Sequence, residues 1–173
     1  MASISTHILH LILYLSLLFP GSNGDILFGT NSVSTQKIDI SVTIDTTTNI
    51  VDIVLVGPSD RWFGVGWGTD AMSGAYAFVI SSFVSEYKIT KGNGGSALDP
   101  QMITILSDTS DSGKRTVMLQ RARVGLDTDY YTFPTTPQTI DIIYAFESAG
   151  TIPYNYHGGG DPRGCMYNLC IHL

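Results

Sequence analysis

Basic residues are scarce in this chain of 173 residues, where nine Lys and Arg stand against fifteen Asp and Glu for a formal charge of −6. No cluster forms among the nine, and an acidic chain without a basic patch excludes nucleic acid and anionic membranes as partners. Long apolar runs are missing beyond the first two dozen residues, so no later segment reads as a membrane helix or a lipid-anchor tail. Catalytic motifs are missing too: there is no Gly-x-Ser-x-Gly elbow, no His-Glu-x-x-His zinc helix and no glycine loop running from a strand into a helix to cradle phosphate. An enzyme with its own catalytic site is therefore not expected.

Cysteine is limited to Cys165 and Cys170. An oxidising compartment makes a disulfide the default, yet a separation of five puts the two on opposite faces of a regular strand, so pairing with each other requires a turn or bulge between them. The spacing Cys-x4-Cys-x-His also differs from the Cys-x-x-Cys-His that attaches haem covalently.

The first 24 residues contain no charged side chain and hold the apolar run from Ile8 to Phe19, closed by Pro20-Gly21-Ser22-Asn23-Gly24. The run is short for a bilayer span and reads as a secretory signal peptide, residues 1–24, although its amino-terminal end lacks Lys and Arg. A signal anchor is the alternative. Residues 25–173 are then expected as a single secreted domain without stable membrane insertion, large enough for one core.

What remains alternates with period two. Ile38, Ile40, Val42 and Ile44 share one face, with Asp39, Ser41, Thr43 and Asp45 on the other, as in a half-buried antiparallel strand. Turn residues at 46–49 and 57–60 separate this strand from residues 50–56 and from a strand beginning at Arg61. Residues 76–90 hold two strands or one long bent one, and 91–96 read as a flexible glycine loop. Further strands are expected over residues 102–107, 115–123, 139–146 and 164–172, with a turn at 108–114. About nine to eleven short strands predict an all-β antiparallel sandwich, with a closed barrel as the competitor.

One stretch organises the rest: Arg61-Trp62-Phe63-Gly64-Val65-Gly66-Trp67-Gly68, a polar turn containing Met72, then Ala75-Tyr76-Ala77-Phe78-Val79. Gly64, Gly66 and Gly68 remove side chains where a backbone or a flat ligand can approach closely. Trp62 and Trp67, five apart, point to opposite faces, so at most one lines a given pocket. Arg121 either neutralises an anionic ligand group or pairs with a carboxylate as a structural residue. Asp108, Asp111, Asp127, Asp129 and Asp161 are candidate calcium ligands, although carboxylates spaced on turns are more often solvated.

Taken in order, the Arg61 to Gly68 strand, Met72-Ser73-Gly74-Ala75-Tyr76-Ala77-Phe78-Val79, Val117-Met118-Leu119-Gln120-Arg121, Ile142-Ile143-Tyr144-Ala145-Phe146 and Tyr156-His157-Gly158 resemble the DOMON domain over nearly all of residues 25–173. The resemblance implies an immunoglobulin-like β-sandwich, facing outward or secreted, that binds b-type haem or a sugar. In its haem-binding branch, which includes the cytochrome domain of cellobiose dehydrogenase, one methionine and one histidine hold the iron; Met72 and His157 fall at those positions. A thioether and a neutral imidazole fill both axial sites, which suits one-electron transfer with non-covalent haem b rather than bond-making chemistry.

The partner implied is an extracellular or membrane redox protein, since the membrane cytochrome or flavin dehydrogenase that often accompanies such domains is not in the sequence. Phe63, Trp67, Phe78, Tyr154 and Tyr156 are candidate porphyrin walls. The competing function is a non-redox domain that recognises carbohydrate or protein, in which Met72 is a core gap-filler and His157 a solvent-facing loop residue.

Overall fold

A computed structural model describes residues 26–33, 38–69, 71–90, 94–146 and 167–172, with 26–33 and 167–172 described as backbone. These form eleven strands: β1 (Ile26–Val33), β2 (Ile38–Asp45), β3 (Ile50–Pro58), β4 (Phe63–Trp67), β5 (Tyr76–Ile80), β6 (Val84–Lys88), β7 (Ser96–Ala97), β8 (Thr104–Asp111), β9 (Lys114–Ala122), β10 (Thr139–Phe146) and β11 (Tyr167–His172). No helix occurs among the described residues. Five strands in the order β1-β2-β3-β9-β8 make one sheet and six in the order β11-β10-β4-β5-β6-β7 make the other, with every pairing antiparallel. The fold is the expected all-β sandwich.

Alternation decides which side chains enter the core. Ile38, Ile40, Val42 and Ile44 of β2 and Val51, Ile53 and Leu55 of β3 meet Phe63, Val65 and Trp67 of β4, Tyr76, Phe78 and Ile80 of β5, and Ile140, Ile142 and Tyr144 of β10. Two bulky β-rich faces pressed together bury enough apolar surface to hold the sheets without a helix. The 46–49 turn is fixed locally: Asp45 Oδ1 accepts from Thr47 N at 2.8 Å and Thr48 N at 3.1 Å, and Asn49 takes φ 57°. Asparagine tolerates that left-handed conformation better than most residues do.

Several expected boundaries move. Residues 76–90 are two strands, turned at Ser81 to Phe83 by Ser81 N donating to Phe83 O at 2.9 Å. The strand at 102–107 instead begins at Thr104 and runs on to Asp111, so the turn assigned to 108–114 shrinks to Ser112-Gly113, at φ 50° and 80°. Two left-handed residues in succession match the right-handed twist of a two-residue hairpin, which lets β8 and β9 pair to their ends. Polar composition at residues 108–111 hid a strand whose side chains are mostly exposed. β1 was not among the expected strands, and Ser96–Ala97, placed at the border of a glycine loop, adds a short edge strand to β6.

Candidate functional site

The outer face of the six-stranded sheet, away from the inter-sheet core, is apolar. Register places Ile143, Gly66, Ala77 and Tyr87 in one row across β10, β4, β5 and β6, and Ala145, Gly64, Val79 and Ser85 in the next. Gly66 and Ala77 lie between the larger Ile143 and Tyr87 in the first row, and Ala145, Gly64 and Ser85 keep the second row low, which makes a trough. Ala75, Ala77, Ile89 and Ile143 form a second buried apolar cluster here, with Met72 and Tyr87 packed against it. Trp62, Gly64, Gly66, Met72, Val79 and Ala145 complete an open groove. No Asp, Glu, His, Lys or Arg lines it among the described residues.

The glycines hold this shape by what they omit. A Cβ on Gly66 would stand 2.8 Å from Ile143 Cγ1 and 3.3 Å from Ala75 Cβ, and one on Gly64 would stand 3.1 Å from the Phe78 carbonyl oxygen. Any larger residue here either pushes the neighbouring strands or fills the groove. Of the two tryptophans, Trp62 lines the groove and Trp67 lies in the core, as a separation of five requires.

Met72 belongs to the loop between β4 and β5, which folds back over the sheet face rather than projecting from the end of the sandwich. The loop is pinned on both sides: Gly68 N donates to Asp141 O at 2.8 Å, and Gly74 N to Ile89 O at 2.9 Å, the latter beside Ile89 N donating to Ala75 O at 2.8 Å. Both pinning glycines are left-handed, at φ 77° and 89°, a conformation that costs other residues free energy. Within the loop, Thr69 Oγ1 accepts from Ala71 N at 3.0 Å. Met72 is thereby held half-buried over a floor of glycine and alanine.

His157, Tyr154, Tyr156, Cys165 and Asp161 lie outside the described residues, and Cys170 is described as backbone, paired with Asp141 across β10 and β11. Segment 147–166, which contains His157, leaves β10 after Phe146 and returns at Tyr167. Phe146 pairs with Phe63 at the opposite end of β4 from Gly68 and the Met72 loop, so the two candidate ligands belong to segments attached at opposite ends of one sheet.

One expectation about the site is corrected. Phe63, Trp67 and Phe78 are not groove walls: all three point into the inter-sheet core, on the other side of the sheet from Met72. Among the described residues no three His, Cys, Asp or Glu side chains gather to hold a metal ion. Asp108 is instead held by Arg115 at 2.6 and 2.8 Å, which keeps its carboxyl below the usual carboxylate range, and Asp129 lies 3.5 Å from Lys88.

Arg121 takes the structural role. Fully buried, it lies 3.7 Å from the equally buried Glu86 carboxylate of the opposite sheet and donates to Tyr131 O at 3.0 Å and Ala122 O at 2.9 Å. Tyr76 donates to Glu86 and accepts from Arg121, while Met102 N and Ile103 N donate to the second Glu86 oxygen. The guanidinium also stands 5.0 Å from the Tyr76 ring centre. Burial pushes the Tyr76 hydroxyl far up, opposed by Arg121 and reinforced by Glu86, so it stays protonated. Sequence reasoning found Arg121 but not Glu86, whose place in a strand of mixed polarity carries no special signal. Ala77, Ile89, Ile143 and Ala145 were also missed as groove residues; small residues alternating at Gly64/Gly66 and Ala75/Ala77 on neighbouring strands were the available sign.

Neither a protein-family model nor a curated protein matches the chain. Among solved structures it is similar to the cytochrome b domain of pyranose dehydrogenase from Coprinopsis cinerea, at 14% identity and TM-score 0.58, over 83% of this chain and 81% of that one. It is likewise similar to the cytochrome domain of cellobiose dehydrogenase from Myriococcum thermophilum, at 10% identity and TM-score 0.54, over 84% and 81%. The resemblance to the DOMON type of cytochrome domain therefore holds at the level of the fold.

Proposed function

We propose that this chain is a secreted b-type cytochrome domain that binds haem non-covalently in the groove and passes single electrons between extracellular or membrane-bound redox proteins. The observation that carries the reading is the groove itself, a glycine and alanine floor facing Met72, with no charged side chain in its described lining. A flat, largely apolar group fits that cradle. Met72 and His157 would hold the iron, and Gly64, Gly66 and Ala77 would give the macrocycle its seat. When bound, haem b would supply a one-electron Fe(III)/Fe(II) couple, with Met72 and His157 as the residues that would hold its iron.

The chain's own residues do three things toward this. The two pinning hydrogen bonds of the β4–β5 loop present a soft thioether over the floor, and thioether ligation favours the reduced iron. Trp62, Val79, Ile89 and Ile143 would exclude water from that surface once a flat apolar group is seated on it, which would lower the local dielectric. Arg121 belongs to the inter-sheet core and takes no part in binding. A sugar would need hydrogen-bonding side chains to replace its water, and the described lining supplies none of the charged or amide groups that do this.

The test is the visible spectrum of the purified protein with haemin, before and after dithionite. Resolved α and β bands on reduction are expected, as for low-spin six-coordinate iron, with loss of that spectrum in both Met72→Ala and His157→Ala. A wild-type protein that takes up no haemin, or two variants that keep the wild-type spectrum, would sink the proposal.

A further inference from the structure

We infer that Tyr131, far from Met72 in sequence and on the β9–β10 connection, is a positioning residue for the Met72 thioether. The inference rests on the ligand role proposed above for Met72, but the contact that carries it stands independently. The Tyr131 ring lies directly on Gly68: a Cβ at that glycine would come within 2.4 Å of Tyr131 Cε2 and 2.7 Å of Cδ2. Gly68 is the residue at which the Met72 loop leaves β4, and at φ 77° it sets the direction of that departure. The ring covers the side of the backbone that a side chain would otherwise occupy.

Tyr131 is itself held from the core. Its ring meets Phe133 edge-on at 4.9 Å, Phe133 meets Trp67 at 5.4 Å, and Trp67 is the residue before Gly68. Its carbonyl oxygen accepts from Arg121 Nη2 at 3.0 Å, which ties it to the buried Arg121–Glu86 pair. The single hydrogen bond from Gly68 N to Asp141 O fixes one distance at this end of the loop. Two faces, Asp141 behind and the Tyr131 ring beside, fix its direction as well. The β9–β10 connection thus governs where a ligand on the β4–β5 loop stands over the groove.

The experiment uses the full chain carrying Tyr131→Leu, Tyr131→Ala or Tyr131→Phe. Conversion of Met72 to its sulfoxide by dilute peroxide is followed by peptide mass spectrometry without haemin, with the half-buried Met118 of β9 as internal standard. Leu and Ala are expected to speed oxidation of Met72 several-fold while Met118 is unchanged, and Phe, which keeps the ring, is expected to match wild type. Should Tyr131→Ala fail to fold, Tyr131→Leu, which keeps apolar bulk, carries the test. An unchanged Met72 rate in the folded variants, or Met72 and Met118 rising together, would overturn the inference, because the ring would then serve the fold alone. With haemin, Tyr131→Leu is expected to lose part of the low-spin spectrum and to lower the midpoint potential, both restored in Tyr131→Phe; a wild-type spectrum and potential in Tyr131→Leu would also overturn it. Failure of the wild type to bind haemin would strike the proposed function, while the sulfoxidation comparison would still decide whether Tyr131 places Met72.

Discussion

Single residues set the shape of the groove, and Ala77 shows how narrowly. Its Cβ already lies in the floor between Gly66 and Tyr87, so enlarging it extends a side chain into the groove without asking the backbone for a new conformation. Ala77→Leu is therefore expected to fold, at a cost of about 1–3 kcal/mol for overpacking Ile89 and Ile143 beside it. Overpacking of about 1–3 kcal/mol against any flat occupant would weaken haemin binding by roughly tenfold or more. A haemin titration followed at the Soret band checks this, and unchanged affinity would place the ligand elsewhere. Gly66 is a poorer probe, because its missing Cβ faces Ile143 at 2.8 Å and a substitution disturbs strand packing as well as the groove.

At the scale of elements, the β8–β9 hairpin shows how an edge is fastened. Arg115 on β9 holds Asp108 on β8 through two hydrogen bonds, and the same guanidinium donates to Ser81 O in the β5–β6 turn of the other sheet. Hydrogen bonding to Arg115 is the main cause that lowers the Asp108 carboxyl from its ordinary 3.8, with burial opposing and the charge of Arg115 adding. The unfolded chain thus binds this proton more readily than the folded one, so the pair stabilises the fold above the ordinary value. That contribution disappears as pH falls through the lowered folded value. Asp108→Asn should cost about 0.5–1 kcal/mol at neutral pH for a partly exposed, solvent-screened pair. Urea unfolding of wild type and variant at neutral pH and well below pH 3.8 checks it, and a difference that persists in acid would assign the cost to geometry rather than charge.

For the molecule as a whole, Arg121 and Glu86 are the bolt between the sheets, one from β9 and the other from β6, both fully buried. Removing one charge leaves the other without its counter-ion in the core, so Glu86→Gln should lose about 3–5 kcal/mol. Arg121→Met added to it removes the orphaned cation, and the double variant should recover part of that loss despite forfeiting the bonds to Tyr131 and Ala122. Chemical denaturation of the two variants decides it. A double variant that loses the sum of two large single effects would show that the hydrogen bonds of Arg121 outweigh its charge.

Much of this was legible in the sequence because it follows from alternation. Ile38, Ile40, Val42 and Ile44 can all reach a core only from one face of a strand, and Trp62 and Trp67, an odd number apart, must part company whatever the strand pairs with. The all-β class, the separation of the tryptophans and the glycine-lined β4 needed nothing further, whereas the choice of two sheets over a closed barrel came from the strand order. Alternation says which residues share a face, but not which face meets another sheet. For that reason Phe63, Trp67 and Phe78, suitable walls by chemistry, proved to be core, and Ile143 and Ala77, unremarkable by chemistry, proved to line the groove. Register between β10 and β4 decided that Ile143 stands beside Gly66, and the packing of the two sheets and the β9–β10 connection decided that Glu86 meets Arg121 and that Tyr131 covers Gly68. Those contacts join residues on separate strands or loops, and their formation depends on how the two sheets pack, an equilibrium of the whole chain that no local pattern encodes.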